Sequence, residues 1–336
     1  MKTMLSPLTF AATLLILTRA STAIAFNVQP IAPTETVSLW SSESFSEGDL
    51  PCLPLKHERT FNSSSDTTQD NAYMMMAASY ISYSFWPGKR ERILTSWGFK
   101  EIKIFNSERH STNGYWAFHD NFVLLALRGT QEPTDLLTDL SVQLESFEIA
   151  GTADSRVHSG FLASMRSIYD KLLEAERFAK QKKVPLIIAG HSLGGAIALL
   201  GALKLKNEGG GAAAVWTFGL PKVGNNAFYE TARKQLGPQW HHINQTIDPI
   251  PTLPFSKHDK PTLLKLAADY GDYLPLLNRF AENAGYWEHN GKKPDDTPQK
   301  SESVLQQKFT KIARGFWKHL PRSYVCDLAD GSLKVN

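Results

Sequence analysis

Ser192 stands between two glycines in Val184-Pro-Leu-Ile-Ile-Ala-Gly190-His-Ser192-Leu-Gly194-Gly195. An apolar run rich in Ile and Val breaks into Gly-His-Ser-Leu-Gly, and a small-residue helical pattern follows. This spacing predicts a strand, a sharp turn and a helix, with the serine at the apex of the turn. Neighbours without a Cβ are needed there, because the strand and helix backbones pass close to the serine. The turn pushes Oγ into the open, and the helix start aims free N–H groups at the same point. The chemistry such a turn serves is nucleophilic attack by a serine hydroxyl.

A serine hydroxyl is a poor nucleophile at neutral pH and needs a base, usually a histidine oriented by a carboxylate. With the nucleophile on a strand-to-helix turn, the expected chain order is Ser, then Asp or Glu, then His. Asp248, in Asp248-Pro-Ile-Pro, fits the second place, and the prolines beside it stiffen its backbone. Three histidines follow it. His258 lies in a lysine-rich loop, His289 has aromatic neighbours, and His319 lies seven residues before Cys326. His191 adjoins the nucleophile and is expected to support the turn. His241 and His242 are neighbours on a strand and face opposite ways, which excludes a chelate pair. No metal site and no cofactor are expected.

These residues require a scaffold that brings separate strand ends together. Ala72 to Phe85 reads as a buried helix closed near Pro87-Gly88. Lys100 to Asn106 is a strand, and Gly114 to His119 with Asn121 to Leu127 forms a hairpin about Asp120. The second hairpin strand is continuously apolar and therefore lies deep in the sheet. An amphipathic helix follows Val157-His-Ser-Gly-Phe161 and runs to about Lys182. Its apolar face carries Leu162, Met165, Ile168, Leu172 and Ala179. Beyond the serine turn and its helix come a strand over Ala214 to Gly219, a short helix from Asn226, and a strand over His241 to Ile247. Strands alternating with helices predict an α/β fold, a mostly parallel central sheet with helices on both faces. In such sheets ligands bind beyond the C-terminal strand ends, where Thr130, Ser192 and Asp248 would gather.

The 336 residues are 42% hydrophobic and 21% charged, enough for a large core. Met1 to Ala25 reads as a secretory leader: Lys2, an apolar stretch over Leu8 to Leu17, and the small-x-small site Ala23-Ile24-Ala25. That stretch is too short to span a bilayer comfortably and is interrupted by threonines, and no later transmembrane segment is expected. The remainder is nearly neutral, which does not suggest a nucleic-acid partner. Residues 26–70 read as an extended arm or pro-segment, and 71–336 as the folded domain. In an oxidising compartment Cys52 and Cys326 are expected to pair. Asn62-Ser-Ser and Asn244-Gln-Thr are glycosylation sequons; the second falls within a predicted core strand, which argues against its use.

Four blocks, Arg128-Gly-Thr130, Gly190-His-Ser-Leu-Gly-Gly195, Thr217-Phe-Gly-Leu-Pro-Lys-Val-Gly-Asn225 and Asp248-Pro-Ile-Pro-Thr-Leu-Pro254, together resemble the class 3 lipases. This family comprises the filamentous-fungal triacylglycerol lipases and their feruloyl esterase relatives. The resemblance implies an α/β-hydrolase fold, with Ser192 as nucleophile, Asp248 as orienting acid and His319 as base. His319-Leu-Pro-Arg-Ser-Tyr324 matches the setting of the family's histidine near the terminus, and His289 matches a non-catalytic tract. Thr130 and Leu193 would form the oxyanion hole. The segment from Gln131 to Gly151 corresponds to the family's lid, with Leu136, Leu137 and Leu140 as an apolar underside. The implied substrate is a lipid ester met at a lipid–water interface. A feruloyl-type or short-chain esterase, or a lipid-binding protein without activity, would use the same scaffold. One departure is the stretch from Phe255 to Ala284, longer than the family's. Its apolar pieces could line an acyl groove or pack as an extra helix.

Overall fold

The computed structural model describes residues 52, 68–83, 88–107, 112–130, 144–149, 154–246, 248, 250–253 and 319–335. The expected leader, most of the arm, Asn62, the leucines of the expected lid, the 255–284 stretch, His258 and His289 lie outside them.

The first helix, α1 (Gln69–Ile81), starts where Thr68 accepts a hydrogen bond from the Asn71 N–H at 3.1 Å. It is buried almost all round, which explains the run Met74, Met75, Met76 as core packing. A short helix that no periodicity announced, α2 (Lys89–Ser96), follows Gly88. The strands β1 (Glu101–Ser107), β2 (Thr112–His119) and β3 (Phe122–Leu127) pair antiparallel about the tight turn at Asp120. A small ribbon of β4 (Leu144–Ser146) and β5 (Arg156–His158) precedes α3 (Ser159–Ser167) and α4 (Tyr169–Lys182). These two helices replace the single amphipathic helix expected over this stretch. Ile168, at φ −127°, interrupts the helical backbone, although the apolar spacing runs straight through it.

The chain continues through β6 (Leu186–His191), α5 (Leu193–Asn207), β7 (Ala214–Phe218), α6 (Asn226–Leu236) and β8 (Trp240–Ile243), and α7 (Pro321–Ala329) lies near the C-terminus. The large sheet runs β1-β2-β3-β6-β7-β8, and the pairings from β3 onward are parallel. Every residue of β3, β6 and β7 is buried, as strands covered on both faces require.

The period of two sorts each strand onto two cores. Val123, Leu125 and Leu127 point with Ile188 and Val215 toward α3, α4, α5 and α6. Leu124, Ala126, Ile187, Ala189 and Trp216 point the other way, toward α1, α2 and α7. The fold is therefore the expected α/β-hydrolase arrangement, with an antiparallel edge at β1 and β2.

The last strand is shorter than expected and stops at Ile243. Beyond it the Asn244 side chain accepts from the Leu220 N–H at 3.3 Å and donates to His242 Nε2 at 2.8 Å. With both ends of its amide engaged, Asn244 is a poor acceptor for a glycan, though it lies past the strand and not within it.

Candidate active site

Gly190 and Gly194 hold the elbow because nothing larger fits. A Cβ on Gly190 would lie 2.2 Å from the Gly194 carbonyl oxygen, and one on Gly194 would lie 2.3 Å from the Leu127 carbonyl oxygen. Between them Ser192 sits at φ 58°, ψ −126°, backbone space that disfavours a side chain. Its N–H donates to the Phe218 carbonyl at 2.9 Å, and its own carbonyl accepts from the Gly195 N–H at 2.9 Å. No side chain caps the start of α5. The first N–H groups of that helix, Leu193 included, are therefore left for another acceptor.

Asp248 follows the end of β8, on the same sheet edge as Ser192. Its Oδ1 accepts from the Ile250 N–H at 2.9 Å, a local turn that fixes the carboxylate. Its Oδ2 lies 2.8 Å from His319 Nδ1 and accepts the Tyr324 hydroxyl at 2.7 Å. Asp248 and His319 are buried, so the hydrogen bonds between them act with little screening. The other ring nitrogen of His319, Nε2, is also buried and makes no hydrogen bond among the described residues. It is the nitrogen left to take a proton. Gly219, at φ 55°, passes so close that a Cβ there would lie 3.0 Å from Asp248 Oδ2 and from His319 Nδ1.

The base is placed by the C-terminal helix. Pro321 opens α7 with its fixed φ, and Tyr324 and Cys326 lie on that helix. Cys326 is bonded to Cys52, and the Cys52 carbonyl accepts the Tyr73 hydroxyl. Gln69 Nε2 donates to the carbonyls of Leu328 and Leu333, both at 2.9 Å. Thus α1 and the disulfide both hold α7, and α7 holds Asp248 and His319.

The His191 ring lies against the base, with ring centroids 4.7 Å apart and planes tilted by 33°. Burial, and then the neighbouring His319, keep its imidazole well below the usual histidine range. It therefore stays neutral. Thr130 follows Gly129 at the end of β3, partly exposed, and a Cβ on Gly129 would come within 2.9 Å of Ser192 Cβ. The structure thus gathers Ser192, Leu193, Thr130, Asp248 and His319 around one sheet edge.

Two contributors were not assigned from sequence. Tyr324 stands in the His319-Leu-Pro-Arg-Ser-Tyr324 match, but nothing in the spacing linked it to Asp248. Tyr83, whose Oη lies 2.9 Å from His191 Nδ1, carried no signal at all.

A serine strained into a tight turn between a parallel strand and a helix, buried and not in the open as the sequence suggested, with a buried Asp–His pair on the same edge, is the arrangement of the α/β-hydrolases. Residues 124–258 match the family described as Lipase (class 3). Lipase A of Sodiomyces alcalophilus is 33% identical over 162 residues, covering 39% of this chain and 39% of the relative. Secreted mono- and diacylglycerol lipase 1 of Fusarium solani is 28% identical over 134 residues, again covering 39% of each. Phospholipase A1 EG1, chloroplastic/mitochondrial, of Oryza sativa subsp. indica is 33% identical over 157 residues, covering 39% of this chain and 36% of the relative. The chain spans about two fifths of the length of these relatives.

Proposed function

We propose that the protein is a serine hydrolase of lipid esters, working through an acyl-enzyme on Ser192. The reading rests on one observation: the buried Asp248–His319 pair, with a ring nitrogen unbonded, beside a serine at positive φ. Ser192 Oγ attacks the acyl carbonyl while His319 Nε2 takes its proton. Asp248 holds the ring through Nδ1–H and balances the imidazolium that forms. The oxyanion is bound by the N–H groups of Leu193 and Thr130 and by the Thr130 hydroxyl. Losing one such donor typically costs ~3–4 kcal/mol in the barrier. His319 then protonates the leaving alcohol, and water repeats the sequence to release the acid.

The preference for lipid esters is supported by the family and by the names of the relatives, which span acylglycerol and phospholipid hydrolysis. Within that class we favour triacylglycerol, met at a lipid–water interface. Secretion is supported by the leader pattern over Met1 to Ala25, by the disulfide and by the secreted relative. Among the described residues no helix is long and apolar enough to cross a membrane.

The test is hydrolysis of emulsified triolein and phosphatidylcholine vesicles against soluble p-nitrophenyl acetate. Triolein turnover that rises above the solubility limit is expected. Activity on the soluble ester alone would replace the lipase reading with a short-chain or feruloyl-type esterase. An organophosphonate should label the wild type and leave Ser192→Ala unlabelled; an unlabelled wild type would favour a lipid-binding protein.

A further inference from the structure

We infer that the Tyr83 hydroxyl is a positioning residue that seats the oxyanion turn against the nucleophile and orients the ring beneath the base. The inference rests on the hydrolase reading of Ser192 and His319.

Tyr83 lies just past α1, its ring buried and its N–H bonded to the Tyr80 carbonyl at 3.0 Å. Its Oη accepts the Gly129 N–H at 2.9 Å and lies 2.9 Å from His191 Nδ1. A phenol has one proton. With the oxygen accepting from Gly129, that proton is directed at Nδ1, and His191 carries its own proton on Nε2. One oxygen thus joins the turn after β3 to the end of β6, adding a hydrogen-bonded bridge where the two backbones already pack closely.

Both partners matter to the reaction centre. Gly129 has no room to move: a Cβ there would lie 2.4 Å from Tyr83 Oη, 2.7 Å from the His191 carbonyl oxygen and 2.9 Å from Ser192 Cβ. Its backbone is therefore wedged between the phenol and the nucleophile, and Thr130, the proposed oxyanion donor, is the next residue. His191 in turn packs tilted against His319 and meets Tyr324 edge to face, at centroid distances of 4.7 and 5.4 Å. Burial raises the phenol well above its ordinary pKa, so the bridge is uncharged at working pH. A neutral His191 keeps the space under the base free of a positive charge that would oppose the imidazolium.

The test is Tyr83→Phe, which removes the oxygen and keeps the ring. Measured on p-nitrophenyl butyrate, kcat should fall about 10- to 100-fold, less than the loss of a whole oxyanion donor, with KM within about twofold. Phosphonate labelling of Ser192 should slow in parallel, since it needs the same donors. Tyr115→Phe is the control: its hydroxyl donates to the Ala78 carbonyl of α1 at 2.9 Å, so it loosens the same helix without touching Gly129. It should keep kcat. His191→Phe removes the acceptor but leaves a ring under His319, and should lower kcat about threefold to tenfold. Unchanged kcat in both Tyr83→Phe and His191→Phe overturns the inference, as does an equal loss in Tyr115→Phe. A wild type that neither turns over nor is labelled overturns the hydrolase reading, and the role of Tyr83 with it.

Discussion

Ser192 occupies backbone space that glycine enters freely and other residues enter at a cost of about 1–3 kcal/mol. Ser192→Gly should therefore abolish turnover while raising stability by about 1 kcal/mol in urea denaturation, after allowance for the freer unfolded chain. A variant that loses stability would show that the turn is relaxed. Tyr324 makes the opposite case, a residue whose hydroxyl is fully used. It donates to Asp248 Oδ2 and accepts the Gln245 N–H at 3.0 Å. Tyr324→Phe strips a charge-assisted bond from a buried carboxylate and leaves a buried N–H without its acceptor. It should lower stability by about 1–3 kcal/mol, read from the urea midpoint, and lower kcat. The elbow and its acid were legible in the chain because glycines, a serine and an Asp-Pro turn follow local rules. Tyr324 and Tyr83 were not, because their partners lie 76 and 108 residues away.

At the scale of elements, the strands were the most legible part, since unbroken apolar runs such as Phe122 to Leu127 mark strands covered on both faces. The helices were less so. The apolar spacing from Leu162 to Ala179 continues across the break at Ile168, and periodicity reports a face, not a continuous backbone. The short α2, rich in charge, offers no apolar stripe to read. At β8 the strand ends because side chains replace the ladder. Asn244 Nδ2 donates to His242 Nε2, so His242 carries its proton on Nδ1, which faces Thr217 Oγ1 at 3.1 Å. Burial first, and then Arg233, hold the His242 pKa down to about 4, against an ordinary value of 6.5. A depressed folded-state value means that the unfolded chain binds the proton more readily. Stability should be flat above about pH 6.5 and fall as the pH drops toward 4. Urea midpoints at pH 7 and pH 5 should drop less in His242→Gln than in the wild type; an equal drop would remove His242 from the acid limb.

At the scale of the whole molecule, residues far apart in the chain close the site. The Cys52–Cys326 bridge spans 274 residues and ends two residues past Tyr324. Replacing both cysteines by alanine should cost about 2–4 kcal/mol and loosen the base as well as the fold. Heat inactivation of activity should then precede loss of helical signal in circular dichroism; coincident losses would show that the bridge acts on the fold alone. The closing order also sets a schedule. The proposed nucleophile and base are 127 residues apart, and at ribosomal speeds of ~5–20 residues per second His319 is made roughly 6–25 s after Ser192. For that interval the nascent chain carries a serine without a base, and any product released before His319 is translated is chemically silent toward the lipids of the cell that makes it.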